Sequence, residues 1–100
     1  MLKTVTALNK HEADFIFHED AGHGWLAVKI SLLKKLNLMG KITSYSYQKG
    51  GTAYLEEDCD MGTFLDAYES EHPAQIKIFR SYHERSPVRN YENFFPSNIQ

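Results

Sequence analysis

The pair Gly50-Gly51 constrains this chain more than any other feature. Before it, in residues 42–48, Ile42, Ser44 and Ser46 alternate with Thr43, Tyr45 and Tyr47. After it, in residues 52–57, Ala53 and Leu55 alternate with Tyr54 and Glu56. Strand side chains point alternately to opposite faces, so both runs read as half-buried strands. Glycine reaches positive φ without steric cost, which a tight connection between two such strands requires. Lys49-Gly50-Gly51 therefore closes a β-hairpin.

A second hairpin precedes it. Residues 13–18 place Phe15 and Phe17 on one face and Ile16 and His18 on the other. Residues 25–30 alternate Leu26, Val28 and Ile30 with Trp25, Ala27 and Lys29. The intervening residues 20–24 hold Asp20, Gly22 and Gly24, which favour turn geometry. Ser31 is the expected N-cap of a short helix running to Asn37, with Leu32, Leu33 and Leu36 as its apolar stripe and Gly40 near its exit. Residues 61–71 repeat at helical spacing through Phe64, Leu65 and Tyr68, with Asp58 or Asp60 as the cap and Pro73 as the stop. Residues 75–82 alternate again as a final strand. Residues 1–12 show a weak alternation at Leu2, Val5 and Leu8, expected as a short strand or an arm. Beyond Ser86-Pro87 the period is lost among Tyr91, Phe94 and Phe95, so residues 87–100 are expected as an irregular tail that docks on the body or meets a partner. The expected order is ββαββαβ: one α+β domain over residues 1–86, with a mostly antiparallel sheet and helices on one face.

Composition sets the outer limits. A length of 100 residues suits one domain, and 42% hydrophobic residues suffice for a core. The net charge of −2 argues against a dedicated nucleic-acid binder and against a DNA mimic. Cys59 is the only cysteine, so no intrachain disulfide forms and a reducing cytoplasm is expected. One thiol also makes a cysteine-based zinc site unfavourable. No apolar run approaches the roughly 20 residues of a membrane span, and no leader pattern opens the chain.

Two polar clusters are the candidates for chemistry. Glu56, Glu57, Asp58 and Asp60 gather four of the 13 acidic residues where a strand meets a helix. Helix capping explains one or two of them, and the remainder suit recognition of a basic protein surface. His18, Asp20 and His23 offer two imidazoles and a carboxylate, a mixed donor set for zinc or manganese if the junction carboxylates join them. No established metal-binding spacing is present, so neither a metal nor another cofactor is expected. Cys59, flanked by aspartates, is expected to be a buried and unreactive thiol. Trp25 is placed to wall a pocket or anchor an interface. Tyr45, Tyr47 and Tyr54 form an aromatic set that stacks bases in some proteins and packs under helices in others. Lys77, Arg80, Arg85 and Arg89, with His83, are the nearest approach to a basic patch.

His23-Gly24-Trp25, Ser44-Tyr45-Ser46-Tyr47 and Tyr54-Leu55-Glu56-Glu57-Asp58-Cys59-Asp60 together resemble a group of small uncharacterised proteins carried by phages and other mobile elements. The resemblance covers roughly residues 15–70 and brings no catalytic residue with it. It implies a bacterial cytoplasm and a non-enzymatic role in which a host or phage protein, such as a defence or regulatory factor, is bound and inhibited. The expected binding residues are Glu56, Glu57, Asp58, Asp60, Trp25 and His23, with homo-oligomerisation as an alternative partnership. The competing expectations are a small metal-dependent hydrolase using His18, Asp20 and His23, and a single-stranded nucleic-acid binder using the tyrosines.

Overall fold

The structure, a computed structural model, describes residues 4–72 and 74–96. In chain order its elements are β1 (Thr4–Thr6), β2 (Phe15–Glu19), β3 (Gly24–Lys29), α1 (Ile30–Lys35), β4 (Tyr47–Lys49), β5 (Thr52–Glu56), α2 (Met61–Glu71), β6 (Ile76–Tyr82) and β7 (Glu92–Asn93). Short 3-10 turns lie at Lys10–Glu12, Met39–Lys41 and Pro87–Asn90. The expected order lacks β7, and β1 is the short strand that was one of the two outcomes expected for residues 1–12.

The Gly50-Gly51 hairpin forms as expected. Gly50 sits at φ 59, and β4 runs antiparallel to β5 with Tyr47 opposite Tyr54. Its first strand is shorter than the alternation suggested, because residues 44–46 turn instead of pairing. The Asp60 carboxylate accepts from the Thr43 N–H, the Thr43 hydroxyl and the Ser46 hydroxyl, which draws this segment out of the ladder.

All seven strands join one sheet in the order β1-β6-β2-β3-β5-β4-β7. The strand β6 runs parallel to both β1 and β2, and the remaining four pairings are antiparallel. The fold is therefore α+β with a mostly antiparallel sheet. Cross-strand partners share a face. Phe17 lies opposite Leu26, which lies opposite Leu55, and Phe15 lies opposite Ile78. These residues form the covered face. Phe64 and Leu65 of α2 and Leu33 of α1 pack into the same core cluster, and the Phe15 ring meets the Phe64 ring edge-on at 5.2 Å.

The opposite face carries Val5, Ile16, His18, Trp25, Ala27, Lys29, Tyr47, Tyr54, Glu56, Lys77 and Phe79. Among the described residues, no helix packs its core residues there. The 3-10 turn Pro87–Asn90 covers part of it, with Arg89 over Trp25 and Tyr91 against Tyr54.

Two expectations about segment ends are corrected. The α1 N-cap is Lys29 rather than Ser31, and it makes no side-chain capping bond. Asn37, not Gly40, takes the left-handed conformation after α1, at φ 59; asparagine tolerates that region better than other residues bearing a Cβ. Residues 87–96 dock on the body, one of the two outcomes expected for this segment. Val88 and Phe94 are buried, and β7 pairs with β4. The apolar side chains are spaced for docking onto an existing sheet edge, so no local period announces them. Pro73, Leu2 and residues 97–100 lie outside the described residues. Among the described residues, no helix is long and apolar enough to cross a membrane.

Candidate functional site at the β5–α2 junction

The β2–β3 turn is built on Asp20. Its carboxylate accepts from the N–H groups of Gly22, His23 and Ser86, each at 3.0 Å, and from Arg89 Nε and Nη2 at 2.6 and 2.8 Å. The Arg89 guanidinium, before all other causes, holds the Asp20 carboxyl far below the usual carboxylate range. All of its lone pairs face donors, so this carboxylate is not free to bind an ion. The competing metal-dependent reading needs Asp20 beside His18 and His23 as a ligand, and Arg89 already occupies that carboxylate. Among the described residues, no group of three or more His, Cys, Asp or Glu side chains converges to hold a metal.

The two histidines have separate surroundings. His18 is half-buried on the open face, its ring 5.7 Å from that of Tyr54. Burial, and then the neighbouring His83, push its imidazole below the ordinary value. His23 is exposed at the turn, with Nδ1 3.9 Å from Glu56 Oε2 and its ring 5.9 Å from Trp25.

The acidic junction divides into an internal and an external half. Asp60 is 1% exposed and is consumed by Thr43 and Ser46, so it serves the fold rather than a partner. It occupies the α2 N-cap position yet makes no side-chain capping bond. Glu56 is nearly buried and accepts from the Asp58 N–H at 2.9 Å. Glu57 and Asp58 are exposed. The four expected binding carboxylates therefore reduce to two that face solvent, beside Glu56 at the rim. Cys59 is exposed, not buried as expected. Desolvation and the Glu56 carboxylate raise its thiol above the ordinary value.

A shallow pocket of about 370 Å³ opens beside this junction, lined by His23, Trp25, Tyr45, Glu56, Asp58 and Arg89, among others. Tyr45 is 69% exposed at its rim, in the 44–46 turn rather than on the sheet. The expected face shared by Tyr45 and Tyr47 is thus broken, and Tyr47 instead packs edge-on against Trp25 at 6.1 Å. Trp25 is 2% exposed, and its indole N–H has no hydrogen-bond partner among the described residues. A buried donor left without an acceptor is uncommon and marks a position that an incoming acceptor would satisfy.

The expected basic patch also resolves. Arg80 forms a two-pronged pair with Glu19 at 2.9 Å, and Arg89 pairs with Asp20. Lys77 points from the open face. Arg89 is the residue that sequence reasoning undervalued. Its partner lies 69 positions away, and nothing in local spacing connects them. Compared with protein-family models, with curated proteins and with solved structures, the chain matches none of them.

Proposed function

We propose that this chain is a non-enzymatic binding protein of a phage or other mobile element, acting in the bacterial cytoplasm. It holds a basic segment of a host defence or regulatory protein at the β5–α2 junction. The observation that carries this reading is the buried Trp25 N–H without an acceptor, in a pocket rimmed by Asp58 and the exposed Tyr45. A partner's backbone carbonyl completes the indole, while its lysine or arginine meets Glu57 and Asp58. Tyrosine and tryptophan are favoured interface anchors because they bury large rigid area. The exposed carboxylates contribute specificity and association rate more than affinity.

The assignment of the other carboxylates supports a binding role. Asp20 and Asp60 are locked into structural hydrogen bonds, and the junction pocket is shallow and open. The phage or mobile-element origin rests on the sequence resemblance.

The test is capture from a bacterial lysate with wild-type protein and with a Glu57→Ala/Asp58→Ala variant of unchanged unfolding midpoint. A host protein retained by the wild type and lost by the variant supports the reading, provided it also perturbs the fluorescence of Trp25, the sole tryptophan. Equal retention by both removes the junction from the model.

A further inference from the structure

Part of the open sheet face, across β6, β2 and the end of β3, lies away from the C-terminal segment. Two clefts border it, of about 650 and 490 Å³, and they meet at Lys10 and Ile16; the larger also reaches Phe15, Leu32 and Tyr68 at the edge of the helix-packed side. Together they run from Phe79 and His18 across Ile16 to Ala27 and Lys29, crossing β6, β2 and β3. We infer that this groove binds single-stranded nucleic acid.

Its two chemistries argue for that ligand. Flat rings line its smaller cleft. Phe79 and His18 are half-exposed there, and the His18 ring lies 5.7 Å from that of Tyr54 beyond the cleft. Cations border the rings. Lys10, Lys29 and Lys35 line the larger cleft, Lys77 projects from the same face as Phe79, and none of these four forms an ion pair among the described residues. The carboxylate on the groove is Asp14, and it is tied to the Lys77 N–H at 2.8 Å. The net charge of −2 conceals this local balance. The exposed Glu57 and Asp58 sit at the junction, and Asp66 and Glu71 ride on α2, which packs on the other face.

A polyanion with exposed planar bases uses both features. Its phosphates meet the lysines, and its bases stack on the rings, an interaction that tolerates any sequence. A duplex hides its bases in the stack and cannot reach the rings. This surface is separate from the β5–α2 junction, and the inference does not depend on the protein-binding role.

Fluorescence anisotropy with a short fluorescein-labelled oligothymidylate tests it, using the full chain. Saturable binding is expected, with a log–log salt slope of about −2 to −3, the value for three or four phosphate contacts on a single strand. Phe79→Ala weakens binding by about tenfold, the loss of one stacked base. Lys29→Glu/Lys77→Glu, which alters exposed side chains and so spares the core, abolishes it. Glu57→Ala/Asp58→Ala leaves it unchanged. Absence of saturable binding, equal competition by a duplex of the same length, or affinity indifferent to both groove variants overturns the inference. Displacement of a bound apolar dye by dodecanoate without any oligonucleotide binding also overturns it, and reassigns the groove to small anionic amphiphiles.

Discussion

Arg89 grips Asp20 through two N–H donations, at 2.6 and 2.8 Å, across 69 positions of sequence. This one pair ties the C-terminal segment to the β2–β3 turn. It also places the Arg89 guanidinium 5.5 Å over the Trp25 ring, where it roofs the junction pocket.

Arg89→Ala is expected to lower the unfolding midpoint, and Arg89→Lys to lower it less, since lysine keeps the charge but not the two-pronged geometry. The pH dependence has a definite sign. The folded Asp20 carboxyl lies far below its unfolded value, so its contribution is complete above about pH 4 and is lost as pH falls further. Acid titration followed by circular dichroism should show a shallower loss of stability for Arg89→Ala than for wild type below about pH 4. Identical acid limbs would deny the pair this role.

Asp60 holds the 43–46 turn against the start of α2. Truncation to alanine leaves the Thr43 N–H and the buried Ser46 hydroxyl without their acceptor. Loss of this buried acceptor, which also strips the Thr43 hydroxyl of its partner and so orphans three donors, is expected to destabilise by about 3 kcal/mol or more. Thr43→Ala removes one hydroxyl contact and should cost about 1 kcal/mol. Urea denaturation separates the two.

Gly24 begins β3 directly beneath the Phe17 ring. A Cβ at this position would fall inside the van der Waals envelope of that ring, and Phe17 is 2% exposed and fully enclosed by the core. Gly24→Ala is therefore expected to destabilise by about 1–3 kcal/mol. Combining it with Phe17→Leu should cost less than the sum of the single changes, because the shorter side chain leaves room for the methyl. Strict additivity in the double-mutant cycle would place the strain elsewhere.

Cys59 is exposed yet poorly disposed to react. Desolvation, then the Glu56 carboxylate, favour its neutral form. Alkylation by iodoacetamide at neutral pH should run slower than that of glutathione, and Glu56→Gln should accelerate it. A fast wild-type rate would show that the α2 N-terminus outweighs the surrounding carboxylates.

Local chemistry carried much of this fold in readable form. The Gly50-Gly51 turn, the alternation through Phe15 and Phe17, and the helical spacing of Phe64, Leu65 and Tyr68 each depend on neighbours within a few positions. Periodicity therefore exposes them, and α2 spans Met61–Glu71 as its pattern indicated. The α+β class follows from the same elements.

What the tertiary structure decided lies in contacts between distant positions. The alternation of residues 42–48 allows a strand, but Asp60 outcompetes the ladder for Thr43 and Ser46. Residues 87–96 carry no period, but Phe94 finds a core and β7 finds an edge only after the sheet exists. The acidic run from Glu56 to Asp60 reads as one charged surface, yet folding turns Asp60 inward and leaves Glu57 and Asp58 in solvent. Asp20 reads as a turn carboxylate open to solvent, yet Arg89 arrives from the far end of the chain to occupy it. Sequence determines which backbone conformations each segment prefers. The partner of a buried polar group is determined by which distant donor the fold brings within hydrogen-bond reach.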